Sequence, residues 1–325
     1  MKHRALLLIA SAFFASAALS ASAEPLTVLT YNLGLFRVFG YDFVPRVEIR
    51  ARAAPAELAR FAGDNTPDVI LLEEVWRDRY ADAISGALAP RGYAAVRPKV
   101  HSILGLGSGL LLLVKQPMKV VEWKFTPFAK TTFTDSFARK GVLEATIETA
   151  SGLRFVLLGT HTVALDTDDG TPTNKAQVNA ITSQAAQILG ALAARSQKGS
   201  LPAIIMGDFN VGPGYVDEVY ESIADSGSLR ETGDALFPGA PLVTWDPGNP
   251  LVKYGTYPNE PSAKIDQIFL QNGIGMQWNP LDARVVETDP VEGLTILPAK
   301  GGAPVPTPLS DHYGFLARIE LKPAE

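Results

Sequence analysis

The 325-residue chain contains no cysteine. That excludes a disulfide framework, a thiol nucleophile and any zinc–thiolate centre. Charge is sparse as well: 19% of residues are charged, the formal net charge is −5 and the sequence pI is near 5.5. The chain lacks the basic surplus that tracks a nucleic-acid backbone, so nucleic acid is not an expected partner. Beyond the first 23 residues no unbroken apolar run reaches the roughly eighteen residues of a membrane span. The G-x-S-x-G elbow of serine hydrolases is missing. The stretch GLGSG (105–109) lacks the Lys-Ser/Thr of a phosphate-binding loop. DTDDG (166–170) carries Gln177 where a calcium loop needs Glu.

What is present begins with a leader. MKHR, the apolar ALLLIASAFFASAALS and a small-x-small ASA before Glu24 read as a cleaved signal peptide over residues 1–23. The mature chain is therefore expected in the periplasm or outside the cell. Hydrophobic residues make up 46% of the whole, enough for a sizeable core without disulfides. No linker-like stretch divides residues 24–325, which read as one domain acting as a monomer. Strand-like and helix-like patterns alternate irregularly, and two face-to-face sheets with outer helices accommodate them. The spacing predicts a helix over 46–63 interrupted at Pro55, and GLLLLVKQP and MKVVEWKF as neighbouring strands joined at Gln116–Pro117.

Several apolar runs end in the same kind of residue. LTVLTY ends in Asn32, DVILL in Glu73 and Glu74, RFVLLGT in His161, and AIIMG in Asp208 and Asn210. Asp266 lies within KIDQIFL, and Ser310–Asp311–His312 precedes GFLARIEL. One Asp or Asn at a strand end is an ordinary turn residue. Repetition of metal-liking and proton-handling types at so many strand edges points to a shared site. Asp208 and Asn210, two apart, can enter one cavity if Phe209 turns away. His101 lies in no motif and reads as structural.

In order, TYNL, LLEEVW, GTH, GDFN, KIDQIF and LSDHYGF resemble the endonuclease/exonuclease/phosphatase superfamily, the DNase I-like fold. The resemblance implies an α+β, four-layer α/β sandwich: two packed mixed sheets flanked by helices. It further implies a phosphodiester hydrolase with Mg²⁺ as cofactor, Mn²⁺ or Co²⁺ substituting. Glu74 would be the principal metal ligand, with Asn32 and Asp311 beside it. His312 would be the general base oriented by Asp266, and His161 would contact the phosphate or assist the leaving group. Asp208 and Asn210 would hold nucleophile and phosphate in line. TDSFARKGVLEATIE (134–148) and TWDPGNPLVKYGTYPNEPSAKIDQIFL (244–270) are similar to the neutral sphingomyelinase branch. That branch implies sphingomyelin or a related phospholipid as substrate, transient membrane contact, an Asp135–Lys140 pair, and Lys140 as a substrate-binding residue. A nuclease, a sugar or inositol phosphatase and an idle binding module are the alternatives. FRVFGYDFVP (36–45) and KFTPFAKTTF (124–133) are candidate interfacial segments.

Overall fold

A computed structural model describes residues 23–132, 135–196, 201–226, 228–298 and 302–324. The expected signal peptide, save Ala23, lies outside the described residues. Apart from small two-stranded hairpins, the first six strands in chain order are β1 (Glu24–Asn32), β2 (Val69–Glu73), β3 (Tyr93–Val96), β4 (Leu111–Lys115), β5 (Lys119–Pro127) and β6 (Gly141–Glu148). The next six are β7 (Arg154–His161), β8 (Ala203–Asp208), β9 (Leu229–Glu231), β10 (Asp266–Gln271), β11 (Met276–Val286) and β12 (Gly314–Pro323). One six-stranded sheet runs β11-β12-β1-β2-β4-β3, the other β9-β10-β8-β7-β6-β5. Both are mixed, with parallel pairs β1–β2 and β7–β8 among antiparallel neighbours.

Alternation along each strand builds the layers. Leu26 and Val28 of β1, Val69 and Leu71 of β2, and Ile204 and Met206 of β8 meet between the sheets. Leu29, Tyr31, Ile70 and Leu72 face outward onto helices α1 (Val47–Asn65) and α2 (Asp78–Leu88). Ile205, Val156 and Leu158 face α3 (Lys175–Ser196) and α4 (Asp217–Ala224) on the far side. The order is helix, sheet, sheet, helix, the DNase I-like four-layer sandwich. Each buried Leu, Ile or Val side chain contributes about 1.5–3 kcal/mol to holding it.

Two expectations need correction. Helix α1 runs through Pro55 without a break, because Ala51, Ala54, Leu58, Phe61 and Ala62 keep one apolar face on the first sheet. Strands β4 and β5 are not neighbours but belong to different sheets. Leu111–Val114 are buried on both faces and occupy an inner position, whereas β5 exposes most of its residues and forms an edge.

Candidate active site

The register brings the polar strand ends to one edge. Asn32 pairs with Glu73 at the ends of β1 and β2, and Asp208 pairs with His161 on one side and Asp266 on the other. Asn32 Nδ2 donates to Asp208 Oδ2 at 2.8 Å, tying the two sheets together across the site. Gly207, before Asp208, has φ 144°, and a Cβ there would sit 1.9 Å from the Thr160 carbonyl oxygen. Only glycine lets β8 approach β7 so closely. Phe209 turns into the outer core while Asp208 and Asn210 line the cavity, as their spacing predicts. Asp208 Oδ1 accepts the Asn210 backbone N–H at 2.8 Å, and Asn210 Nδ2 donates to the Thr162 carbonyl.

His312 and Asp266 form a dyad, with Nδ1 to Oδ2 at 2.9 Å. Nε2 stands 3.8 Å from Asp208 Oδ2. Burial works against the imidazolium, yet the Asp266 and Asp208 carboxylates outweigh it and raise the pKa of His312 well above the ordinary value. Asp208 itself is raised, by burial first and then by Asp266.

His161 has the opposite surroundings. Its Nε2 faces Lys140 Nζ at 3.1 Å, Asp208 Oδ2 at 3.4 Å and Glu74 Oε1 at 4.0 Å. Lys140 also pairs with Asp135 Oδ1 at 2.7 Å and donates to the Thr162 carbonyl at 2.8 Å. An ammonium has three donors and no acceptor. All three are therefore spent inside the protein, and Nε2 of His161 is the acceptor of one. Burial, then Lys140, lowers the pKa of His161 well below the usual imidazole value, so it is neutral. The Asp135–Lys140 pair is buried, not the solvent-exposed bridge such a pair commonly makes.

Glu74 leaves β2 with φ 58°, which turns its side chain into the cavity and away from the line of the strand. It accepts from Asn32 Nδ2 and Trp76 Nε1, each at 3.3 Å. Glu73 points between the sheets, accepts from the Thr30 hydroxyl at 2.6 Å and is raised well above the carboxylate range, chiefly by burial. Asp311 Oδ1 accepts from the Ser310 hydroxyl at 3.1 Å, and a Cβ on Gly34 would lie 2.2 Å from that oxygen.

The donor set fits a divalent cation. Glu74 is raised by burial and then by Asp311, so two carboxylates crowd one place. Among the described residues no Lys or Arg forms an ion pair with Glu74, Asp208 or Asp311. Asp208, Asp266 and His312 also bring donor atoms within 4.8 Å of one another. In that trio the Nδ1–Oδ2 contact orients the ring. Asn32 turns its nitrogen to the carboxylates, and its oxygen accepts Gly34 N–H at 2.9 Å. As placed, it aligns the acids.

Several positioning groups escaped the sequence reading. The Thr244 hydroxyl accepts from the backbone N–H of Ile265 and Asp266, and its carbonyl accepts from Tyr313 N–H. Trp245 packs edge-on against His312 with ring centroids 5.0 Å apart. Asn249 Nδ2 donates to the carbonyls of Ser310 and Asp311. Buried Arg50 donates to the carbonyls of Leu33, Gly34 and Leu309. The TWDPGNP stretch held a signal for three of these, in polar residues bracketing a Trp. Arg50 had none beyond its place on the helix. His101 lies outside the site, exposed and 3.2 Å from Asp78.

The family model of the Endonuclease/Exonuclease/phosphatase family matches residues 29–312, and the chain belongs to that family. Its members hydrolyse phosphodiester bonds and in general use divalent metal ions. No curated protein sequence matches the chain. Sphingomyelinase C from Streptomyces griseocarneus is similar in structure, with TM-score 0.67 and 22% identity over 91% of this chain and 99% of that one. D. rerio TDP2 complexed with single-strand DNA product gives TM-score 0.64 and 18% identity over 91% and 98%. The human Nocturnin catalytic domain with bound sulfate gives 0.59 and 20% over 91% and 93%. At such identities the likeness establishes the fold.

Proposed function

We propose that this member of the family is a metal-dependent sphingomyelin phosphodiesterase, or acts on a related phospholipid, releasing the phosphorylated headgroup. The make-up of the cavity carries the reading. An acid–imidazole floor lies under a lining that includes Phe36, Phe43, Trp76, Leu165 and Leu251, and Lys140 is the one Lys or Arg among the described lining residues. A polyanion needs Lys and Arg along its track. A phospholipid brings one phosphate and an apolar body, which suits this lining.

Glu74 and Asp311 would hold the metal, an oxygen set that Mg²⁺ favours and Mn²⁺ or Co²⁺ accept. When bound, the ion neutralises charge on the phosphate and on the departing alkoxide. Asp266 holds Nδ1 of His312, which leaves Nε2 to take a proton from water as its oxygen bonds to phosphorus. The ester P–O bond to the leaving alcohol breaks as the new bond forms. Asp208 and Asn210 hold the reacting groups in line. Neutral His161 accepts from Lys140, whose fixed positive charge favours an anionic phosphate nearby.

Phe39, 84% exposed, and Tyr41 crown a hairpin of Arg37–Val38 and Tyr41–Asp42 whose flanking Phe36 and Phe43 line the cavity. In this reading the hairpin is the transient membrane contact of a monomer working outside the cytoplasm. In the 124–133 segment Phe128 is buried in the outer core and Phe125 packs against the inner one, while most of the other described residues are exposed; Phe133 lies outside the described residues.

The test offers the purified protein sphingomyelin, phosphatidylcholine, a phosphoinositide and plasmid DNA, each with Mg²⁺ or EDTA. Sphingomyelin turnover abolished by EDTA is expected. DNA nicking at a comparable rate, or turnover indifferent to EDTA, overturns the reading.

A further inference from the structure

The cavity lining changes character away from its floor. Phe36, Phe43 and Trp76 form a cluster of tilted rings, with centroids 4.6 Å and 5.5 Å from Phe36. Tyr215, Tyr257 and Glu260 line the same cavity, and here aromatic rings come with a carboxylate. Both hydrogen bonds to Glu260, from the Thr167 and Tyr215 hydroxyls, fall on Oε2. Among the described residues Oε1 has no protein partner, and no Lys or Arg forms an ion pair with Glu260. Glu260 also shares no hydrogen bond or ion pair with the floor acids. A metal ion held at Glu74 and Asp311 would leave its charge unmatched.

Four carboxylates bear on this part of the lining. The Tyr257 phenol is pushed up to about 12, by burial first and then by Asp166, Glu74, Asp135 and Glu260. The one lining ammonium, Lys140, is already committed to Asp135. Aromatic faces beside a half-buried carboxylate that lacks a counter-ion attract a soft organic cation, which needs no hydrogen bonds.

We infer that Tyr215, Tyr257 and Glu260 form a cation subsite for the alkylammonium end of a zwitterionic phosphoester. The inference rests on the proposed phosphodiesterase activity for the position of the phosphate, and adds the second pole of the headgroup. The cavity then matches such a headgroup from end to end, with the phosphate over the floor and the ammonium against the tyrosines.

The experiment compares two chromogenic esters that differ in charge alone: p-nitrophenyl phosphocholine and its 3,3-dimethylbutyl isostere, with carbon in place of nitrogen. The expected kcat/KM is about tenfold or more higher for the cationic ester, a size consistent with a partly desolvated cation–π contact plus one carboxylate. Glu260→Gln and Tyr257→Leu should each reduce that ratio at least threefold, whereas Tyr257→Phe, which keeps the ring, should preserve it. Circular dichroism and thermal melts confirm that each variant folds. A wild-type ratio near one overturns the subsite while leaving the phosphodiesterase reading standing, and so does a ratio unmoved in either Glu260→Gln or Tyr257→Leu. If neither ester is hydrolysed, the activity reading fails and calorimetric titration decides the subsite. Phosphocholine binding about tenfold tighter than 3,3-dimethylbutyl phosphate then sustains it, and equal or absent binding overturns it.

Discussion

His312 leans on Asp266 and faces Asp208, while His161 leans on Lys140, itself held by Asp135. Both rings are buried, so desolvation acts on them in the same direction. Their neighbours act in opposite directions. Carboxylates lift His312 above the ordinary imidazole value and give it the basicity of a proton acceptor. An ammonium presses His161 down and leaves it a neutral polar surface. One side chain type thus takes two opposite electrostatic settings because distant segments deliver different charges to it.

Exchanging or removing these neighbours tests the contrast. The largest effect belongs to His312→Ala, which removes the base and should lower kcat by about 10²–10⁴-fold. Unchanged circular dichroism would confirm that the fold persists, and near-wild-type turnover would defeat the assignment. Asp266→Asn should lower kcat/KM by about 10–100-fold, within the lower reach of general-base effects, and also move the pH profile. A raised pKa keeps His312 protonated above about 6.5, so activity climbs as pH rises through that higher value. Loss of the Asp266 charge lowers the pKa and shifts the acid limb toward lower pH. A limb that stays in place would show that His312 does not set it.

Lys140→Met addresses the other ring. With the ammonium gone, the pKa of His161 should rise, read from its imidazole proton resonances across a pH titration. The accompanying loss of kcat/KM should be about tenfold, in keeping with one fixed charge near a phosphate. The smallest catalytic effect is expected for Asp135→Asn, whose cost is mainly to stability. Breaking a buried pair on one side costs about 3–5 kcal/mol, and urea unfolding measures it. A loss below about 1 kcal/mol, the range of exposed pairs, would contradict the buried geometry.

Much of this site was legible in one dimension. The apolar runs bounded or carried by acid, amide or imidazole marked Asn32, His161, Asp208, Asp266, Asp311 and His312; the register gathers Asn32, His161, Asp208 and Asp266 at one edge, and His312 joins them through Asp266. The choice between Glu73 and Glu74 was less accessible, since it turns on the positive φ at Glu74 that breaks the strand's alternation. The partition of β4 and β5 between sheets was misread because two apolar runs joined by Gln116–Pro117 look alike until burial separates them. Trp245, Thr244 and Asn249 stand together in TWDPGNP, but their tasks are not legible there, because their partners Ser310, Asp311, His312 and Asp266 lie elsewhere in the chain.

Composition and strand periodicity determined by themselves that this is a cysteine-free chain of alternating strands and helices with polar groups at its strand ends; the α+β layering followed from the resemblance of its motifs. The composition and the pattern follow from local rules, the absence of thiols and the two-residue repeat of a pleated strand. Packing in three dimensions decided which imidazole is basic and which is neutral, which glutamate enters the cavity, and that Lys140 spends its donors on the protein. Those outcomes depend on charge and desolvation at a few ångströms. The groups that set them stand 46 residues apart in the His312–Asp266 pair and 176 apart in the Asn32–Asp208 bond.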